Sequence, residues 1–170
     1  MKRVFFSLAV AASTFAFAFV AAAPAASAMN IEKIVSPSGI SAWLVREQAV
    51  PLVSLNYAFH GGSSQDLADK SGTANLVADT LDEGAGDLDG TTFHERLENH
   101  AIELSFRVGR DAFRGSLRTL NEHREEAFDL LQMALTSPRF ETEAVERVRQ
   151  QELSGLRRET TNPNNIASRL

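Results

Sequence analysis

The amino-acid sequence predicts an α+β fold in which helices pack on one face of a mostly antiparallel sheet. Two observations carry this prediction. Short stretches rich in Val, Ile, Leu and aromatic residues begin just after residue 30 and return in the middle of the chain. Stretches with the apolar period of a helix follow each of these groups. The resulting order of strands, helix, strands and two helices differs from the regular alternation that is typical of a parallel sheet.

The first group is predicted to contain three strands, at residues 31–35, 41–45 and 52–59. Residues 36–39, Ser-Pro-Ser-Gly, form the turn between the first two strands. The third strand ends in the Gly-Gly-Ser-Ser turn of residues 61–64. Because only short turn sequences separate the three strands, they are predicted to pair as an antiparallel meander.

A helix is predicted over residues 70–81. Its apolar side is predicted to consist of Ala74, Leu76, Val77 and Leu81. Glycines and acids over residues 84–90 then form a turn. Thr91 or Thr92 is predicted to cap the next short helix, because Glu95 follows Thr92 at the spacing of a capping box.

The second half of the chain is predicted to hold a strand pair and two helices. The strands cover residues 102–108 and 112–120. A helix over residues 121–135 follows, and Pro138 separates it from a long helix over about residues 141–159. The predicted core face of the first of these helices consists of Ala127, Leu130, Leu131 and Ala134.

The first 28 residues have the layout of a cleavable signal peptide. Two basic residues precede an apolar stretch over residues 4–23, and residues 26–28, Ala-Ser-Ala, predict cleavage between Ala28 and Met29. A membrane anchor is the competing interpretation, because the stretch approaches the roughly 20 residues that span a bilayer. No basic stop-transfer flank follows it. The sequence therefore predicts a periplasmic or secreted domain over residues 29–170.

Charge and cysteine content exclude several function classes. The formal net charge is −5, and the predicted signal peptide removes two basic residues and no acid. This balance argues against binding to nucleic acid, and against a membrane surface after signal cleavage. The chain contains no Cys, which excludes disulfides and thiolate chemistry and leaves stability to a hydrophobic core.

Residues 71–80 carry the most informative motif, Ser-Gly-Thr-Ala-Asn-Leu-Val-Ala-Asp-Thr, which follows a strand and a Gly-Gly-Ser turn. This segment resembles the zinc-site helix of the insulinase, or pitrilysin, family. The resemblance extends from residue 53 to the helix after residues 146–147. It implies an insulinase-type N-terminal domain with the LuxS/metallopeptidase-like fold. Asn162 and Pro163 resemble the start of another element, so the domain is expected to be incomplete at its C-terminal end.

Active members of the family carry HxxEH on this helix, in which two histidines bind zinc and the glutamate activates zinc-bound water. With Gly72 and Ala74 aligned, the corresponding residues here are Asn75, Ala78 and Asp79. Zinc favours imidazole and thiolate ligands over an amide, and alanine cannot accept a proton. Zinc-dependent proteolysis by this helix is therefore not expected, and the sequence predicts no catalytic residue and no cofactor bound by this chain.

The family's third zinc ligand is a glutamate on a later helix, and Glu152 is the matching residue. It lies in an otherwise apolar stripe formed by Val145, Val148, Glu152 and Leu156. A carboxylate in such a stripe needs a partner, so Glu152 either pairs with Asn75 or shares a proton with Asp79. Alternatively, Asn75, Asp79 and Glu152 are weak candidate ligands for a hard cation such as Ca²⁺.

A third interpretation of the motif helix is a solvated face without a site. Four residues at i, i+3, i+4 and i+7 spacing would form this polar stripe: Asn75, Ala78, Asp79 and Asp82.

The four histidines are predicted to be structural or exposed. His94 and His100 lie six residues apart, so they point about 120° apart on a helix and do not form HExxH. His60 follows a strand, and His123 begins a helix.

The resemblance leaves three functions open. The favoured one is a non-catalytic subunit that binds peptide substrate beside a catalytic insulinase-family partner, which would carry the zinc. The second is a zinc metalloendopeptidase with an unrecognised ligand set or a further domain. The third is a structural scaffold, as in family members that serve as core subunits of respiratory complexes.

Overall fold

The computed structural model describes residues 30–161, which fall into two compact units with a boundary after Gln48. The predicted signal peptide and the residues after Thr161 lie outside this described part. In the first unit, β1 (Ile31–Val35) and β2 (Ser41–Val45) form an antiparallel hairpin. Both strands agree with the prediction. None of the helices in the described part combines the length and hydropathy needed to cross a bilayer.

The second unit contains five strands and four α-helices within the described residues. In chain order these are β3 (Leu52–His60), α1 (Thr73–Ala78), β4 (Gly84–Ala85), β5 (Leu88–Asp89), α2 (Gly90–Asn99), β6 (Glu103–Val108), β7 (Ala112–Leu120), α3 (Arg124–Thr136) and α4 (Thr142–Thr161). The predicted α+β class is confirmed, with antiparallel strands and helices packed on one face of the sheet.

The central sheet has the strand order β3–β7–β6, and both strand pairs are antiparallel. The predicted meander is wrong at β3, which pairs with β7. The pairing runs over the full length of both strands, from Leu52 opposite Leu120 to His60 opposite Ala112. The strand lengths agree with this pairing, because β7 has nine residues and matches β3 along its whole length, whereas β2 has five residues.

One face of this sheet and the inner sides of the helices form the hydrophobic core. Phe93 of α2, Leu117 of β7 and Leu130 of α3 are among its largest fully buried side chains. The predicted core face of α3 is confirmed, because the residues that this helix buries are Ala127, Leu130, Leu131 and Ala134. Alternate residues of the strands point to the opposite side of the sheet, which is polar over most of its length.

Three local predictions are corrected by the tertiary structure. The helix predicted over residues 70–81 is only one and a half turns long, because Gly72, at φ +94°, precedes it and Asp79 ends it. Neither threonine caps α2; instead the Asp89 carboxylate accepts a hydrogen bond of 2.8 Å from the Thr92 N–H. This bond to the charged form lowers the pKa of Asp89. The turn predicted over residues 84–90 is the short β4–β5 hairpin.

Candidate functional site

A side chain from outside α1 holds the N-terminus of this motif helix. The Asp66 carboxylate accepts hydrogen bonds from the N–H groups of Gly72, at 2.8 Å, and Ala74, at 3.0 Å. These N–H groups have no partner within the helix, and their positive end favours an anion. No local pattern predicts this role for Asp66, because a capping residue is expected directly before its helix, whereas Asp66 lies six residues before Gly72.

The three residues that replace HxxEH lie in two different environments. Asn75 and Asp79 are exposed one turn apart, and the Asp79 N–H donates to the Asn75 carbonyl at 2.9 Å. Ala78 is 2% exposed and belongs to the hydrophobic core. The predicted polar stripe is therefore wrong at Ala78. The predicted apolar side is also wrong at Val77, which is 38% exposed.

Glu152 of α4 lies beside the motif helix α1. It lines a groove of about 450 Å³ together with Asn75 and the apolar residues Leu76, Leu153 and Leu156. Its carboxyl group is hydrogen-bonded to the Asp79 side chain. Partial burial, followed by the charge and the hydrogen bond of Asp79, raises the pKa of Glu152. The structure thus brings the carboxyl groups of Asp79 and Glu152 close together.

The apolar stripe predicted for α4 is only partly present. Val148 is buried and Val145 is half-buried, whereas Glu152 and Leu156 are exposed. The core contacts of α4 therefore lie toward its N-terminal half, and its C-terminal half borders the groove. Glu152 needs no buried partner, because water reaches most of its side chain.

This donor set does not fit zinc. Asn75 offers an amide and Asp79 and Glu152 offer carboxylates, so the site lacks the imidazole or thiolate ligands that zinc prefers. Ala78 offers no group that could act as a base. Among residues 30–161, no cluster of three or more His, Cys, Asp or Glu side chains could hold a metal ion. Two carboxylates and one amide are also few for Ca²⁺, which takes six to eight oxygen ligands.

Three of the histidines make local contacts with the backbone or with each other. The Nδ1 atoms of His94 and His100 lie 2.8 Å and 3.0 Å from the carbonyl oxygens four residues earlier in α2. The rings of His100 and His123 meet edge to face at 4.9 Å. His94 also lies near Asp82, whose pKa is raised by burial and partly lowered by this histidine.

An ion pair links Arg147 of α4 to Glu83, which follows the motif helix in the chain. Arg147 Nη1 donates to Glu83 Oε1 at 3.1 Å, and Nη2 donates to Oε2, so the contact is bidentate. The Glu83 side chain is only 16% exposed. Sequence reasoning missed this pair, because the two residues lie 64 positions apart and carry no local signal.

We expect Glu83→Gln and Arg147→Gln each to lower the free energy of unfolding by about 1–2 kcal/mol, since a bidentate pair is lost beside a largely buried carboxylate. In a double-mutant cycle measured by urea unfolding, the coupling between them should be about 1 kcal/mol. The exposed pair Arg118–Glu103 is the control, with an expected coupling below about 0.5 kcal/mol. Equal coupling energies in the two pairs would contradict the conclusion that the Glu83–Arg147 pair holds α4 in place.

We expect Glu152→Gln to flatten the pH dependence of stability. A folded-state pKa above the ordinary value stabilises the fold at low pH, and this contribution is lost as the pH rises through the raised pKa. The variant should therefore be at least as stable at pH 7, with a gain below about 1 kcal/mol because the side chain is largely exposed. Urea midpoints between pH 4 and 7 measure the effect. Glu95→Gln is the control and should leave the slope unchanged.

Comparisons with known proteins give the family of this chain. A family model described as Insulinase (Peptidase family M16) matches residues 44–168. Over 107 residues, the chain is 34% identical to the Non-peptidase homolog YmxG of Helicobacter pylori, and the match covers 63% of this chain and 25% of that protein. The chain therefore spans about a quarter of the length of this curated relative.

Two solved structures show the same fold. The crystal structure of a peptidase M16 inactive domain from Pseudomonas fluorescens superposes with a TM-score of 0.75 at 27% identity, covering 82% of this chain and 34% of that one. A protease from Helicobacter pylori gives a TM-score of 0.69 at 15% identity, covering 81% of this chain and 33% of that one, and supports the fold alone. The chain belongs to the insulinase family, peptidase family M16, and lacks all three residues of the HxxEH motif.

Proposed function

We propose that the chain is an exported, non-catalytic insulinase-family protein that binds peptide beside a zinc-bearing relative. The main support for this proposal is that the motif helix lacks the zinc ligands and the catalytic glutamate of active members. Asn75 and Asp79 replace the two histidines, and Ala78 places a methyl group in the core where active members have the catalytic glutamate. No general base and no zinc ligand set remains on α1.

The names of the similar proteins support the lack of hydrolysis. The relative from Helicobacter pylori is named a non-peptidase homologue, and the domain from Pseudomonas fluorescens is described as inactive. The predicted signal peptide supports export, because it has a basic start, an apolar stretch and a small-x-small cleavage site.

Peptide binding is supported by the position of β6. This strand lies at an edge of the described three-stranded sheet, and it packs beside α1. The unpaired N–H and C=O groups of an edge strand can bind an extended peptide through main-chain hydrogen bonds, which tolerate many side chains. A chain that holds unfolded peptide without cleaving it fits the role of a non-catalytic subunit.

Metal content and hydrolysis test the proposal. We expect the purified chain to contain no stoichiometric zinc and to leave casein and quenched fluorescent peptides intact. A family relative with an intact HxxEH from the same organism should form a stable complex with it and hydrolyse peptides faster in that complex. Stoichiometric zinc together with hydrolysis that Glu152→Gln abolishes would overturn the proposal. Recovery in a membrane complex without peptidase activity would favour the scaffold function.

The edge-strand mode has a separate test. An extended peptide and the same peptide N-methylated at alternate residues differ only in main-chain donors. We expect the N-methylated peptide to bind at least tenfold more weakly in fluorescence anisotropy, because one good hydrogen bond contributes about 1 kcal/mol and several are lost. Equal affinities would exclude main-chain pairing.

A further inference from the structure

The face of the β3–β7–β6 sheet opposite the helices carries an unbalanced positive charge. The register places Arg107 of β6 directly opposite Arg114 of β7. Like charges directly opposite each other on antiparallel strands destabilise the sheet. Within residues 30–161, neither of these two side chains takes part in an ion pair. The third arginine of this face, Arg118, is neutralised by Glu103 at 3.3 Å.

The positive charge of this face has the opposite sign to the net charge of the chain. The chain as a whole has a net charge of −5, and Glu103 is the acid that the three strands place on this face. Two exposed arginines without a counterion on an acidic protein keep a repulsion that one acidic substitution would remove. A bound anionic group would remove it equally well.

Neutral hydrogen-bonding groups lie beside the arginine pair. Asn56, Ser116 and Ser105 form a row across the three strands, because Asn56 and Ser105 both lie opposite Ser116. With Arg107 and Arg114 they line a depression of about 230 Å³. In the described part of the chain, the side chains of this row make no hydrogen bond to the protein. The row therefore offers donors and acceptors to a ligand.

The opposite end of the same face is apolar. Leu52 and Leu120 lie opposite each other at the end of β3 and β7, and both are exposed. They are six residues from Arg114 along β7, which is roughly 20 Å in a strand. A small anion would fill only the arginine end. A polypeptide segment with carboxylates at one end and an apolar side chain at the other matches the whole face.

We propose that this face binds an acidic polypeptide segment. Arg107 and Arg114 hold its carboxylates through bidentate hydrogen bonds, the Asn56–Ser116–Ser105 row binds its polar groups, and Leu52 with Leu120 covers its apolar side chain. Guanidinium groups suit this task, because their planar donors match the geometry of a carboxylate. The site is on the sheet face, so it is separate from the α1 groove and from the edge of β6 and does not depend on the proposed peptide-binding function.

Fluorescence anisotropy with the purified chain tests the proposal. The probe is the labelled peptide Glu-Ser-Glu-Ser-Thr-Ser-Leu, and its control has Gln in place of both Glu residues. We expect the acidic probe to bind at least tenfold more tightly than the Gln peptide, and salt to weaken it. The double variant R107Q/R114Q should lose at least tenfold in affinity, and Leu120→Ser should weaken both peptides. The matched control R157Q/R158Q, which removes two positive charges from α4, should bind like the parent chain.

The other outcomes overturn the proposal. Equal losses in both double variants would mean that net charge alone attracts the probe. Arginine-dependent competition by inorganic phosphate or phosphatidylglycerol vesicles, as strong as that of the acidic peptide, would mean that the occupant is another anion. Folding provides an independent check, because removal of the repulsion should leave the melting temperature of R107Q/R114Q unchanged or raised. A lower melting temperature would show that the pair is structural.

Discussion

Replacement of Phe93 by alanine is expected to lower the free energy of unfolding by about 3–5 kcal/mol. Among residues 30–161, Phe93 is the largest fully buried side chain, with 0% of its surface exposed, and it lies on α2 within the hydrophobic core. The substitution removes its apolar contacts and leaves a cavity that a close-packed core cannot fully close. A loss of this size is a large part of the 5–15 kcal/mol that stabilises an ordinary domain.

Urea unfolding followed by circular dichroism at 222 nm measures this change. Fluorescence would report poorly, because the single tryptophan, Trp43, is exposed and belongs to the first unit. Phe128→Ala on α3 is the matched control, since Phe128 is 42% exposed and its removal should cost below about 1 kcal/mol. Equal losses from the two substitutions would contradict the position of the core.

Replacement of Gly115 by alanine is expected to cost about 1–3 kcal/mol. A Cβ atom at this position would lie only 2.1 Å from the Cζ and Oη atoms of Tyr57 on the neighbouring strand. The Tyr57 ring must therefore move, although its hydroxyl group is already buried and has no hydrogen-bond partner among residues 30–161. This burial raises the pKa of Tyr57 to about 12. The glycine is required by the ring that covers it, and its own backbone conformation is not the reason.

A second substitution separates overpacking from other causes. In a Tyr57→Leu background, Gly115→Ala should cost much less, so the cycle should show a coupling of about 1 kcal/mol or more. Gly155→Ala on α4 is the control, and it is expected to stabilise the protein. No atom of the described residues lies within 4 Å of a Cβ atom at this position, and alanine favours a helix, so the free energy of unfolding should rise by about 0.5–1 kcal/mol. A cost of Gly115→Ala that persists in the Tyr57→Leu background would contradict the steric explanation.

Much of the fold could be predicted from local patterns. The strands of the hairpin and the sheet appear where β-branched and aromatic residues cluster, and α3 buries its four predicted residues. In such elements the hydrophobic period, the turn residues and the tertiary packing all favour the same structure. The replacement of HxxEH by Asn75, Ala78 and Asp79 is likewise a fact of the sequence, and it already argues against zinc on this helix.

The sequence by itself determined the family, the α+β class and the loss of the zinc-site residues. Only the tertiary structure decided that β3 pairs with β7, that Ala78 enters the core, and that Asp66 and Arg147 hold α1 and α4 in place. The physical reason is the range of the interactions. Periodicity and turn chemistry act over a few residues, whereas these contacts join distant segments whose pairing depends on length, space and charge after the chain has folded.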